Sequence, residues 1–413
     1  MNGDSDPKRI IRIEEGQHYL LEPDDELPLR LLRNLGQGGC SNVEEVVDLN
    51  TGRVFARKVF RVRGSAAERR RIFHNEILVI QRLAPHHHIT RIFATYVGKR
   101  EVGILLTPVA DGGSLDKFLD DAHEGLLTQS EMNTLDYAFG CLASGLQFMH
   151  AQKVRHKDIK PHNILVHKGS FIYTDFGSSL DYGADTRSDT TGHPDSITRK
   201  YAAPEVHNSE PRNRKSDVFS LGCVYFEILC ALELDPMKPD MHHYADNIIE
   251  AIEHMAGRIS PQIWPSAVIY LTCHMLNHTP SNRPSAEDVL NVFWKGSPDL
   301  FCNGCVRSGL LQVPQDGKAA SALAPAAPTH DMMRFLISPE TFDETALSAL
   351  APYIIRNPRS SVQGEPVAEL ASPDGESEHR KAPKPLPNHD RDREKESYHL
   401  GQIFGEPQPV DGG

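Results

Sequence analysis

The sequence predicts an α+β chain in two parts, a small antiparallel sheet followed by a larger, mainly helical unit. Three observations predict it. Short β-rich runs at 29–35, 43–48 and 53–61 follow one another around tight turns. An amphipathic helical run at 68–83 then leads to a further apolar strand at 104–107. Beyond these, the stretch 216–231 is apolar nearly throughout, as a buried central helix is.

The first two strands flank Gly36-Gln37-Gly38-Gly39-Cys40-Ser41-Asn42-Val43. Glycines without a Cβ let backbone N–H groups close over phosphates, and the tip glycines carry most of that need. Taken alone, such a loop is equally well a hairpin turn. The chain next turns at Asn50-Thr51-Gly52, a hairpin signal, into the third strand. There the period of two puts Ala56 and Lys58 on one face and Arg57 on the other, so Lys58 is expected to face the phosphates. The helix 68–83 carries Glu76 on the same face as Ile72 and Ile80, which points its carboxylate inward toward Lys58 rather than to solvent. The strand 104–107 ends at Thr107, and Pro108-Val109-Ala110 connects it to Asp111-Gly112-Gly113-Ser114, where Ser114 is placed to cap a helix at 115–122.

The chemistry concentrates in Val154-Arg155-His156-Lys157-Asp158-Ile159-Lys160-Pro161-His162-Asn163 and in Asp175-Phe176-Gly177. Transfer of a phosphoryl group needs metal ions on the phosphates, a group that takes or orients the nucleophile's proton, and positive charge where negative charge collects. Asp158 suits the proton, Lys160 the γ-phosphate, and Asn163 with Asp175 offers the oxygen ligands that Mg2+ prefers.

This loop resembles the catalytic loop of eukaryotic protein kinases, which runs H-R-D-L-x-x-x-N and is followed by D-F-G. The resemblance extends along about two thirds of the chain. The glycine loop fits apart from Ser41, which stands where a third glycine is usual, and Phe55-Ala56-Arg57-Lys58 is similar to V-A-I-K. Ala203-Pro204-Glu205 is similar to the end of a kinase activation segment, and Arg283-Pro284 to a late arginine that pairs with that glutamate. The fold implied is the two-lobed protein kinase-like one. The activity implied is transfer of the ATP γ-phosphate, with Mg2+, to a protein hydroxyl, and Lys160 in D-x-K-P-x-N marks the serine/threonine form.

The resemblance also implies roles. Gly36 to Ser41, Val43, Ala56, Lys58, Thr107, Pro108, Ala110 and Leu165 would hold the nucleotide, with adenine between Val43, Ala56 and Leu165 and against the Pro108 carbonyl and Ala110 N–H. Thr107 would control access behind adenine, while Asp111 is a weak candidate for the ribose. Thr198 would bridge Asp158 and Lys160, and Asp217 would hydrogen-bond the catalytic loop. Arg283 would pair with Glu205, and Ile80, Ile92, His156 and Phe176 would align the two lobes, with Gly177 as a hinge. The same residues are open to a reading as plain core packing.

Two departures bear on regulation and specificity. Lys157 replaces the arginine usual before the aspartate and loses its bidentate fork, which weakens the case for control by a single activation-segment phosphate. His162 stands where kinases directed to basic substrates often carry a glutamate. The hydroxyls at 188, 190, 191 and 196 are read as solvating a loop rather than as modification sites.

A net charge of -12 disfavours nucleic acid as a partner, and no apolar run is long enough to span a bilayer. Seven cysteines without regular spacing point to reduced thiols, hence cytoplasm or nucleus. Cys302-Asn303-Gly304-Cys305 is a lone C-x-x-C without a second pair, and no zinc is assigned to it. His86-His87-His88 is read as a turn and Cys40 as a small loop residue. The domain is expected to cover 29–295, with an N-terminal extension at 1–28. The tail at 296–413 reads as largely disordered on its Pro, Ala, Ser and charge content, with a short helix at 338–350 that would serve docking partners. Two other functions stand beside the leading one, a pseudokinase scaffold and a small-molecule phosphotransferase. The first would lack a catalytic residue and the second an activation segment.

Overall fold

The computed structural model describes residues 9–37, 41–60, 66–98, 101–181, 198–232, 243–248, 250 and 266–307. The expectations for Gly38, Gly39 and Cys40, for the Ile72 side chain, for the hydroxyl-rich stretch 182–197 and for the tail beyond 307 lie outside these residues.

The small lobe contains β1 (Arg9–Ile10), β2 (His18–Leu20), β3 (Asp25–Glu26), β4 (Leu29–Gln37), β5 (Ser41–Asp48), β6 (Val54–Phe60), α1 (Ala66–Leu83), β7 (Arg91–Val97) and β8 (Val102–Thr107). Six strands form one sheet in the order β2-β7-β8-β6-β5-β4. Every pairing is antiparallel except β2 with β7, where the segment ahead of residue 29 adds a parallel strand at the edge. Backbone bonds from Thr95 to Gln17 and from Leu21 to Val97 extend that pairing, giving partners to an edge that would otherwise stay open.

Alternation along β6 separates two apolar layers. Phe55 points into a cluster with Val46, Phe93 and Leu105 that Ile13 closes from the N-terminal segment, while Phe60 points into the main core with Ile80 and Ile104. Residues 9–28 are therefore part of the small lobe's packing, a role that composition did not signal.

The larger lobe contains α2 (Leu115–His123), α3 (Gln129–Thr134), α4 (Asp136–Ala151), β9 (Val154–Arg155), β10 (Ile164–His167), β11 (Ser170–Tyr173), β12 (Leu180–Asp181), α5 (Pro204–His207), α6 (Arg214–Leu232), α7 (Ser266–Met275), α8 (Ala286–Gly296) and α9 (Asn303–Arg307). Ser114 caps α2 by accepting from the Lys117 N–H. The α6 helix is buried from Asp217 through Leu232 except at Ser220, so its apolar run is the centre of the lobe. Packed structure continues beyond Lys295, because Leu300, Phe301 and Cys305 are buried. At Gly140 of α4 an added Cβ would lie 2.5 Å from the Leu300 carbonyl, so only glycine admits this segment. Among the described residues no helix is long and apolar enough to cross a membrane.

Candidate active site

The sheet register places Val43 directly opposite Lys58, so with Ala56 they share one face of β5 and β6. From that face the Lys58 ammonium donates to Glu76 Oε1 at 2.6 Å and to Asp175 Oδ1 at 2.8 Å. Burial alone would lower the Lys58 pKa, but the charges of Asp175 and Glu76 more than offset it and hold the lysine firmly protonated. The Lys58 charge holds the Asp175 carboxyl well below the usual carboxylate range. Glu76 is pushed up by its burial against the pull of Lys58, and its Oε2 has no hydrogen-bond partner among the described residues. Arg57, on the opposite face, pairs with Glu44.

The loop after β9 is held from beneath by Asp217, which accepts the backbone N–H groups of His156 at 3.0 Å and Lys157 at 2.9 Å. His150 contacts the same carboxylate at 3.0 Å. These bonds hold Lys157 at φ 70°, a left-handed conformation that is costly for a lysine and turns the loop over sharply. Beyond the turn, Lys160 donates to Asp158 Oδ2 at 2.8 Å and to Thr198 Oγ1 at 2.6 Å, while Thr198 donates to Asp158 Oδ1 at 2.8 Å. Both oxygens of Asp158 are thus fixed.

Asn163 donates from Nδ2 to the Asp158 carbonyl and to its Oδ2, each at 2.9 Å. Both partners are pure acceptors, so the amide orientation is forced and Oδ1 is left as its available acceptor. The hairpin β10–β11 leads to Asp175, itself at φ 61°, and a bond from Thr174 N–H to the Asn163 carbonyl joins the two loops. Asp175 is 48% exposed at its side chain, the one member of the Lys58 cluster open to solvent. The oxygens of Asn163 and Asp175 make a donor set that fits a hard cation such as Mg2+. Phe176 is buried with its ring 4.9 Å from that of His156, whose Nε2 donates to the Thr174 carbonyl. Ile80 and Ile92 belong to the same core, and Gly177 passes against the Glu76 carboxylate.

Around this centre, Gly36 and Gln37 end β4 and Ser41 starts β5. Thr107 ends β8, Pro108 and Ala110 lie in the connector that follows, and Leu165 sits on β10 bridged to Ser114. Asp111 Oδ1 accepts the N–H groups of Gly112 and Lys168 and so braces the connector against the hairpin.

Arg283 and Glu205 form two parallel bonds of 2.7 and 2.8 Å with side-chain exposures of 0% and 3%. Burial pushes the Glu205 carboxyl up, but the bonds and charge of Arg283 hold it below its ordinary value. Sequence reasoning passed over Glu227, a carboxylate in the apolar run of α6 ten residues after Asp217. It accepts from the hydroxyls of Tyr201 and Tyr244 and pairs with Lys200 at 2.7 Å, beside the segment that carries Thr198. A single charge in the apolar stretch 218–232 was the signal available for it.

The family model for the protein kinase domain matches residues 29–295. The chain belongs to the protein kinase family. Protein kinases use ATP and Mg2+. Its similar proteins include serine/threonine-protein kinase PLK2 of Mus musculus, 26% identical over 281 residues, covering 66% of this kinase and 38% of the relative. Serine/threonine-protein kinase Nek4 of Mus musculus is 26% identical over 264 residues, covering 63% and 31%. Serine/threonine-protein kinase 33 of Mus musculus is 25% identical over 276 residues, covering 63% and 53%. This kinase therefore spans between about a third and a half of the length of these curated relatives.

Proposed function

We propose that this kinase transfers the γ-phosphate of ATP to serine or threonine hydroxyls of protein substrates. The observation that carries the reading is the joined arrangement of Asp158, Lys160 and Thr198, with Asn163 tied to the same carboxylate. Asp158 accepts or orients the proton of the attacking hydroxyl, and Lys160 sets its charge where the transferred phosphoryl becomes most negative. Lys58, oriented by Glu76, holds the α- and β-phosphates. Asn163 and Asp175 would hold Mg2+, which would neutralise charge on the phosphates. Val43, Ala56 and Leu165 enclose adenine, Pro108 and Ala110 present a carbonyl and an N–H to its edge, and Thr107 limits the space behind.

Glu205, Arg283, Asp217, His156, Phe176 and Gly177 position these groups. The kinase domain occupies 29–295, the C-terminal tail serves docking partners, and the setting is cytoplasmic or nuclear, in keeping with free cysteines among the described residues. Presence of Lys58, Glu76, Asp158, Asn163 and Asp175 together favours transfer over a scaffold role. The test is incubation with ATP and Mg2+ and a mixture of peptides bearing serine, threonine or tyrosine, followed by phosphoamino-acid analysis. Phosphoserine or phosphothreonine is expected from the wild type and a greatly reduced yield from Asp158→Ala. Phosphate on tyrosine alone, or transfer that survives Asp158→Ala, would overturn the reading.

A further inference from the structure

Two sequence features unused by phosphoryl transfer meet in space. His87 and His88 lie in the turn between α1 and β7, and Cys302 and Cys305 lie at α9, yet one ligand atom from each falls within 4.8 Å of all the others. Cys302 Sγ is 3.7 Å from His87 Nε2 and 3.8 Å from His88 Nε2, and Cys305 Sγ is 3.4 and 3.0 Å from the same two nitrogens. We infer that these four side chains form a structural Zn2+ site, closed by two thiolates and two imidazoles, that ties the turn after the Glu76 helix to the last described helix of the chain.

The distances suit the ion. Tetrahedral zinc with Zn–S of about 2.3 Å and Zn–N of about 2.0 Å separates each sulfur from each nitrogen by about 3.5 Å. The four observed separations bracket that value. Thiol–imidazole hydrogen bonding alone explains less, because two thiols have two hydrogens to donate and all four sulfur–nitrogen pairs are close. Two sulfurs and two nitrogens with no oxygen select zinc over Mg2+ or Ca2+, and four protein ligands leave no open position for catalysis.

The surroundings orient the ligands as a metal site requires. His88 Nδ1 lies 2.6 Å from the Phe171 carbonyl, which can only accept, so Nδ1 carries the hydrogen and Nε2 faces the sulfurs with its lone pair. The Ser170 hydroxyl donates to Cys302 Sγ at 3.9 Å. His86 is excluded as a ligand because its Nδ1 accepts the His88 N–H and its Nε2 meets Ser144. A groove lined by Pro85, His87, Cys302 and Gly304 gives the ion an entry path. Gly304 permits the close approach, since a Cβ there would lie 3.0 Å from the His87 ring.

The test uses the full chain purified under reducing conditions without chelator. Elemental analysis is expected to find stoichiometric zinc, and exchange for Co2+ to give the visible bands of tetrahedral cobalt with thiolate charge transfer. The double variant Cys302→Ser, Cys305→Ser is expected to lose both. His87→Ala removes only the most exposed ligand, and it should weaken metal retention by at least the roughly 10- to 100-fold typical of losing an outer-shell partner, read in competition with a chelator, which keeps the site testable if the double variant fails to fold. Absence of both zinc and the cobalt bands in the wild type would overturn the site. So would metal retained equally by the variants, or a native disulfide joining Cys302 to Cys305 or to the neighbouring Cys141. None of these readouts depends on phosphate transfer.

Discussion

Two buried ion pairs in this kinase have nearly the same separations and opposite degrees of completion. At Arg283–Glu205 every neighbour contributes: the guanidinium also donates to the carbonyls of Lys215, Asn277 and His278, and Glu205 takes a further bond from Ser216. At Lys58–Glu76 one carboxylate oxygen is left without a partner among the described residues, and the second acid, Asp175, reaches solvent. A saturated pair holds the fold together, whereas an incomplete one keeps polar capacity for something that binds.

Changes in the proposed transfer site, to which the incomplete pair belongs, should cost activity, and changes on the saturated side should cost stability. The largest effect is expected from Asp158→Ala, with kcat lowered about 10²- to 10⁴-fold while the thermal midpoint barely moves. A large fall in Tm with proportionate loss of activity would blur the contrast. Next, Arg283→Ala strands the buried Glu205 carboxylate and should lower the unfolding free energy by about 3–5 kcal/mol, read from urea denaturation. A cost below about 1 kcal/mol would mean that the pair is not what stabilises the lobe.

The acid side gives a smaller signal with a definite sign. The folded Glu205 carboxyl lies below its ordinary value, so its pairing stabilises above about pH 4.3 and that contribution disappears as pH falls through the lower folded value. Urea midpoints of the wild type should therefore drop below about pH 4, more steeply than those of Glu205→Gln. The smallest effect is expected at Thr198, whose hydroxyl bridges Asp158 and Lys160. Thr198→Ala removes about 0.5–1.5 kcal/mol of orientation and should lower kcat by roughly three- to tenfold, with recovery in Thr198→Ser.

Much of this molecule was legible along the chain. The strands at 29–37, 41–48 and 54–60 and the helix 66–83 follow local periodicity, and the facing of Lys58 follows from the period of two. The chemistry of residues 156–163 could be read because its members lie within one loop, where spacing and residue type carry the information. Asp111 was less legible, because an acid beside glycines reads equally well as a ribose ligand or as a loop brace, and only the fold shows the bonds of its Oδ1 to Gly112 and Lys168.

What sequence determined by itself was the order of elements and the residue pattern of the loop 154–163, both properties of neighbouring residues. Tertiary structure alone decided that residues 9–28 close the sheet edge and its second apolar face, and that Glu227 gathers Tyr201, Tyr244 and Lys200. It also brought His87 and His88 to a C-x-x-C pair more than 200 residues later. The physical reason is common to all three: each depends on a contact between segments far apart in the chain, and such a contact is set by packing and topology rather than by any local pattern.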